Sequence, residues 1–214
     1  DSFLALDQMV QIARMKGLEG ICVTDHDSMG LKEYAAEYSK DTGFPIFVGI
    51  EYYSLQGDIV AFGIEDYPTE RIPAQDFIDL VNAQGGVCFA AHPFRNNNRG
   101  LEENLRKVKG LHGLEVLNGS TSVEACQKAA RYALELGLFT LGSSDCHVPE
   151  KVGVCATYFP ERFHTMEGFL DAFRKGQMKP AYYAGGKYHV LELKEQQKSK
   201  IPFTFYAFND RMYL

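Results

Sequence analysis

Asp145 and His147 stand two residues apart, directly after the apolar run Leu138-Phe139-Thr140-Leu141 and the small residues Gly142-Ser143-Ser144. In extended chain, residues i and i+2 face the same side. The carboxylate and the imidazole then converge on one point, with Cys146 turned away. Such a convergence suits a hydrogen-bonded structural pair, an acid/base pair, or two ligands of one metal. The pattern is repeated along the chain. His26 follows Ile21-Cys22-Val23, Glu51 follows the run Ile46 to Ile50, His92 follows Val87 to Ala91, and Asn118 follows Leu114 to Leu117. A single histidine at the end of an apolar run is usually a satisfied rim residue. Three histidines, a glutamate and an aspartate at successive exits answer no packing need. Imidazole and carboxylate together form a donor set for Zn, Mn or Fe.

The elements that must position these residues alternate in type. Helical spacing of apolar residues covers 4–15, 31–38, 77–81, 101–108 and 165–175, and Ser122 is placed to cap a helix that runs to Leu136 and stops at Gly137. Between them lie short apolar runs that read as strands. Tyr52 to Gly63 reads as a hairpin turning at Gln56-Gly57-Asp58. Strands that are apolar throughout, separated by helices, predict parallel strands covered on their faces. In such folds sites are built at the carboxyl ends of the strands. No Gly-rich phosphate loop of either common kind occurs, so a Rossmann or P-loop fold is not expected. Residues 1–183 are read as the barrel domain and 184–214 as a C-terminal β extension, with strands expected at 188–193 and 201–208.

Composition narrows the function. The chain has 214 residues, 45% hydrophobic, with a net charge of −6. This fits one globular domain without an apolar stretch of membrane-spanning length. No basic stripe is present, so neither a membrane nor a stable nucleic-acid complex is expected, while a homo-oligomer is left open. No secretory signal opens the chain, and the five cysteines form no C-x-x-C pair. Both features lead to the expectation of a reducing, cytoplasmic setting. An anionic substrate would need a local cation. Arg95 and Arg99 lie in the loop after His92, and arginine matches phosphate bidentately. Arg95, closer to His92, is the preferred substrate contact, with Asn118 as a second. Asp25 and Asp27 are candidates to orient imidazoles, Asp27 equally a candidate helix cap, and His112, His164 and His189 are read as surface residues.

Taken in order, Thr24-Asp25-His26-Asp27, Gly49-Ile50-Glu51, Ala91-His92-Pro93, Glu115-Val116-Leu117-Asn118 and Ser144-Asp145-Cys146-His147 resemble the motifs of the PHP (polymerase and histidinol phosphatase) family of metal-dependent phosphoesterases. The resemblance covers most of residues 3–180. It implies an α/β fold, a distorted seven-stranded (β/α)7 TIM-like barrel, with two or three divalent metal ions (Zn, Mn or Fe) at its carboxyl end. It implies that His26, Glu51, His92, Asp145 and His147 are the ligands, with Glu51 bridging two metals. It further implies hydrolysis of phosphate esters of nucleotides, short oligonucleotides or small metabolites, with Asp145 and His147 helping to move protons. The sequence departs from the family pattern in two places. No histidine precedes His26, whereas the family opens on a His-x-His strand; that strand is expected upstream of Asp1. Asn118 stands where many members have histidine, which suits a substrate contact. A metal-stabilised domain without activity and an amidohydrolase-like barrel are the alternative readings.

Overall fold

The computed structural model describes residues 4–193 and 212–213. The expected strands and helices form where the apolar runs place them. Helices α1 (Leu6–Met15), α2 (Lys32–Thr42), α3 (Ala74–Ala83), α4 (Val123–Leu136) and α5 (Met166–Arg174) alternate with strands β1 (Leu18–His26), β2 (Ile46–Tyr53), β3 (Asp58–Phe62), β4 (Val87–Ala90), β5 (Gly113–Asn118), β6 (Phe139–Ser143), β7 (Cys155–Tyr158), β8 (Lys179–Ala184), β9 (Lys187–Val190) and β10 (Met212–Tyr213). Ser122 caps α4 by accepting from the Ala125 amide, and Gly137 ends it in the left-handed conformation. The strand expected at 201–208 lies outside the described residues. Among the described residues no helix is long and apolar enough to cross a membrane.

The strands form one sheet in the order β6-β5-β4-β3-β2-β1-β10-β7-β8-β9. The pairs β1–β2, β4–β5 and β5–β6 are parallel, as the uninterrupted apolar runs predict. The rest corrects the expectation of a complete seven-stranded barrel. Strand β3 is antiparallel to both β2 and β4, because the turn Ser54–Gly57 is too short for a crossover to a parallel partner. Strands β7, β8 and β9 form an antiparallel meander. The result is a mixed sheet curled into a half-barrel. Where β6 approaches β7, side chains replace the ladder. The Gly142 amide donates to Thr157 Oγ1 (3.1 Å), the Thr157 hydroxyl donates back to the Gly142 carbonyl (2.7 Å), and Ser144 Oγ donates to the Cys155 carbonyl (2.6 Å). A Cβ at position 142 would stand 2.5 Å from the Ala156 carbonyl oxygen, so the approach requires glycine.

Strand parity sorts the core into two layers. Val48, Ile50, Ile59, Ala61, Cys88, Ala90, Leu114 and Val116 share one cluster with α1 and α3. Phe47, Val60, Phe62, Val87, Phe89, Ala91 and Leu141 face the concave side, where Phe169 and Phe173 of α5 fill the floor. Residues two apart share a face. The concave face therefore continues from Phe47 to Glu51 on β2, and from Phe62 back through Val60 to Asp58 on β3. Side chains that begin as phenylalanine floor become carboxylate at one end.

Candidate metal centre

At that end the chain turns sharply. Asp27, His92 and Asp145 have φ of 50°, 26° and 45°, in the left-handed region that non-glycine residues rarely occupy. Each lies at or one to two residues past a strand exit, and each belongs to a motif singled out in the sequence. Backbone held this way needs enforcement from its surroundings and is characteristic of functional sites.

The five expected ligands come together. Glu51 presents one oxygen to each of two imidazoles: Oε1 is 2.8 Å from His92 Nε2, and Oε2 is 3.4 Å from His26 Nδ1. The rings of His26 and His147 lie 6.3 Å apart. His147 Nδ1 lies 3.3 Å from the Asp145 carbonyl and 3.7 Å from its Oδ1. The other expected contacts close on Asp145. Arg95 Nη1 donates to Asp145 Oδ2, and Asn118 Nδ2 donates to the same oxygen at 3.3 Å. His26, Glu51, His92, Asn118, Asp145 and His147 line one cavity of about 160 Å³.

Extended chain does not produce this convergence, as parity had led one to expect. Strand β6 ends at Ser143, and the positive φ of Asp145 turns the chain so that His147 folds back on it. Cys146 consequently lines the cavity as well. Asp27 caps nothing. Its Oδ1 accepts the Tyr53 amide at 2.8 Å and ties the exits of β1 and β2 together.

Two buried carboxylates escaped the sequence reading. Glu115, 5% exposed, accepts from the His92 amide (2.8 Å), Ser143 Oγ (2.5 Å) and Asn118 Nδ2 (3.1 Å). It therefore orients two residues of the site at once. The signal was a lone carboxylate inside an apolar strand. Asp58 is fully buried, and its Oδ2 lies 3.7 Å from His92 Nε2. Its two oxygens accept from Arg99, Oδ2 from Nε at 2.6 Å and Oδ1 from Nη2 at 2.9 Å. The parity of Asp58, Val60 and Phe62 was the available clue. Arg99, ranked below Arg95 in the sequence, is embedded in the centre.

The electrostatics define what the centre accepts. Burial pushes Asp58 and Glu115 above the usual carboxylate range, opposed by Arg99 at Asp58 and by His92 at Glu115. Burial pulls His92 down, but its hydrogen bond to Glu51 and the charges of Glu115, Glu51 and Asp145 outweigh that and push it up to about 9. The pocket thus recruits a cation, and the imidazolium proton is one. A divalent metal is another, and the donors suit it. Ligand atoms of Glu51, Asp58 and His92 lie within 4.8 Å of one another, and the buried Nδ1 of His92 has no hydrogen-bond partner among the described residues. Nitrogen and carboxylate oxygen in this mixture fit Zn, Mn or Fe.

Known proteins share this arrangement of strands. A family model described as PHP-associated matches residues 123–178. The crystal structure of a candidate metal-dependent phosphoesterase from Bifidobacterium adolescentis superposes with a TM-score of 0.60 at 19% identity, covering 70% of this chain and 84% of that one. A lesion-specific endonuclease from Pyrococcus furiosus superposes with a TM-score of 0.62 at 16% identity, covering 84% of this chain and 54% of that one. The family match is confined to residues 123–178, and the solved structures add likeness of fold. The matched segment runs from the start of α4 through the Asp145–His147 turn and α5. Uncharacterized protein MJ1587 of Methanocaldococcus jannaschii is 24% identical over 110 residues, 51% of this chain and 64% of that protein. The match thus spans just under two thirds of that relative.

Proposed function

We propose that this chain is a metal-dependent phosphoesterase of the PHP type. The observation that carries the reading is the convergence of Glu51 with His26, His92, Asp145 and His147 on one cavity, with Arg95 donating to Asp145. His26, Glu51, His92, Asp145 and His147 would hold two or three divalent ions of Zn, Mn or Fe, with Glu51 serving two of them through its two oxygens. When bound, such ions lower the pKa of a bound water toward neutrality and neutralise charge on the phosphate and the leaving oxygen. The chain's own groups do the rest. Arg95 and Asn118, which meet at Asp145 Oδ2, bind and orient the phosphate oxygens. His147 and Asp145, with Nδ1 and Oδ1 3.7 Å apart, help move protons to and from the reacting oxygens. Glu115 holds the His92 backbone and Asn118 in place. The floor of phenylalanines keeps water from entering beneath the reacting groups. The substrates we assign are phosphate esters of nucleotides, short oligonucleotides or small metabolites, bound as free small molecules in the cytoplasm.

The test is direct. The purified chain is stripped of metal and reloaded with Zn, Mn or Fe. Phosphate release is then followed from p-nitrophenyl phosphate, nucleoside monophosphates and dinucleotides. Turnover restored by metal and lost in Glu51→Gln supports the reading. Stoichiometric metal uptake with no turnover on any ester would replace it with a metal-stabilised domain. Hydrolysis of cyclic amides alone would replace it with an amidohydrolase.

A further inference from the structure

His147 stands at the front of a tight turn whose back is held from three elements at once. The turn itself is a short 3-10 helix at Pro149–Lys151, closed by the Lys151 amide on the Val148 carbonyl (3.1 Å) and the Val152 amide on the Pro149 carbonyl (3.2 Å). Behind it, three successive carbonyls are each taken by a different donor. Lys16 Nζ, from the residue that ends α1, donates to Val152. The Tyr188 hydroxyl of β9 donates to Gly153 at 2.9 Å, and the Tyr183 amide of β8 donates to Val154 at 3.0 Å. The donors also pack on one another. Tyr183 and Tyr188 are cross-strand partners with ring centres 5.0 Å apart, and Lys16 Nζ lies 5.3 Å from the centre of the Tyr183 ring. Tyr188 is buried, and Val152 is buried completely. Gly153 takes φ +66°, and a Cβ there would stand 2.6 Å from the Tyr188 oxygen, so glycine is what lets the hydroxyl in. The front of the turn is held by less: exposed Lys151 donates to the Gly119 carbonyl at 2.9 Å.

Connecting segments are mobile unless their backbone groups are paired, and a reacting group misplaced by about 1 Å can cost roughly a hundredfold in rate. A turn closed on itself and buried at its back moves as one piece, so a shift at Val152 and Gly153 is passed to His147. We propose that Tyr188 is a positioning residue for His147, and that the β8–β9 hairpin, together with Lys16, locks the turn that carries it. The family model's match ends at residue 178, whereas β8 begins at Lys179, so the lock comes from chain beyond the matched segment. This rests on the phosphoesterase reading above, in which His147 is a ligand and helps move protons. It goes beyond that reading by giving the hairpin a role and naming the residue that carries it.

The experiment compares Tyr188→Phe and Lys16→Met with the parent by two readings. The first is the proton–nitrogen NMR spectrum of the histidine rings in the metal-free protein, with His147 assigned through His147→Asn. The second is steady-state turnover of p-nitrophenyl phosphate after metal loading. Tyr188→Phe keeps the ring and removes only the donor. It should shift the His147 ring signals while those of His112, which bonds to the Cys88 amide, stay in place. In the metal-loaded protein kcat should fall about 5- to 20-fold with KM within about twofold, the pattern of a displaced reacting group rather than of lost substrate binding. Lys16→Met should act in the same direction on both readings. Unmoved His147 signals in folded Tyr188→Phe, or a kcat equal to the parent's, would overturn the assignment. So would equal displacement of the His147 and His112 signals, which marks a general loosening of the fold. If Tyr188→Phe fails to fold, Lys16→Met, at a part-buried residue, decides on the same readings. Absence of turnover by the parent on every ester would strike the phosphoesterase reading, whereas the ring signals judge Tyr188 separately.

Discussion

The same strands end in two unlike environments. At one end of the concave face, Phe47 lies 5.0 Å from Phe169, Phe62 lies 5.0 Å from Phe169, and Phe89 lies 5.9 Å from Phe173, ring centre to ring centre. At the other end of β2 and β3 stand Glu51 and Asp58, each against an imidazole or a guanidinium. The aromatic end is held by many weak contacts with no single indispensable partner. The polar end is held by a few strong, directional ones, and each carboxylate depends on a named cation or donor. The difference teaches how the centre is built. The floor fixes the strands, and the strands aim charged groups that would not stay together in water. It follows that damage at the floor should appear as lost stability, and damage at the centre as lost metal or lost rate.

The largest effect should come from the floor. Phe169→Ala removes a buried ring that lies against the rings of Phe47, Phe62, Phe159, Phe163 and Phe173, and should cost about 3–5 kcal/mol in denaturant unfolding. Metal stoichiometry of the folded fraction should stay normal. Metal loss in that folded fraction would mean that floor and centre are one cooperative unit.

Glu51→Gln is the reciprocal change. It should keep the fold while lowering metal content and phosphoesterase rate together, the rate by more than about a hundredfold, since even outer partners of a metal site are worth 10–100-fold. His26→Asn should disturb fewer metals, because an imidazole serves one cation at each nitrogen while a carboxylate can serve two. Normal stoichiometry and turnover in Glu51→Gln would end its bridging role. Arg95→Ala should reduce kcat/KM by about 10- to 100-fold with little change in unfolding midpoint, as expected for a part-exposed charge-assisted contact. Unchanged kinetics would leave Arg95 as a partner of Asp145 alone.

The smallest effect sharpens the comparison from the far side. His112 packs edge-on to Phe173 at 6.3 Å, and its Nδ1 accepts the Cys88 amide at 3.3 Å. Burial first, and Arg174 second, lower its pKa below 6.5. The unfolded chain then binds the proton more readily than the folded one. Stability is full above about pH 6.5 and declines as the pH falls below that value toward the folded pKa. His112→Asn keeps an acceptor that does not titrate. Its unfolding midpoint should fall less than the parent's between pH 7 and 5. Identical slopes would show that His112 takes up its proton equally in the folded and unfolded states over this range.

Much of this was legible in local sequence. The apolar runs marked the strands, and a polar residue shortly beyond each run marked a candidate: His26, Glu51, His92 and Asn118. The Ser122 cap, the Gly137 stop and the hairpin at residues 52–63 were equally local. Such features are determined by periodicity and by the conformational limits of single residues, so a few neighbours suffice to reveal them.

Other features were settled only by the fold. Strand β3 runs antiparallel to β4 as well as to its hairpin partner, and β7, β8 and β9 form an antiparallel meander, so the expected barrel became a mixed half-barrel. Glu115 and Asn118 both reach the centre because the β5–β6 register shifts between Glu115 and Leu117, an irregularity that strict alternation forbids. Asp58 acquired its meaning from Arg99, 41 residues away. A buried carboxylate is tolerable only if a partner arrives, and that partner is chosen by strand register and loop closure. Residue type and spacing along the chain decided which groups could do chemistry; the tertiary structure decided which of them share a charge.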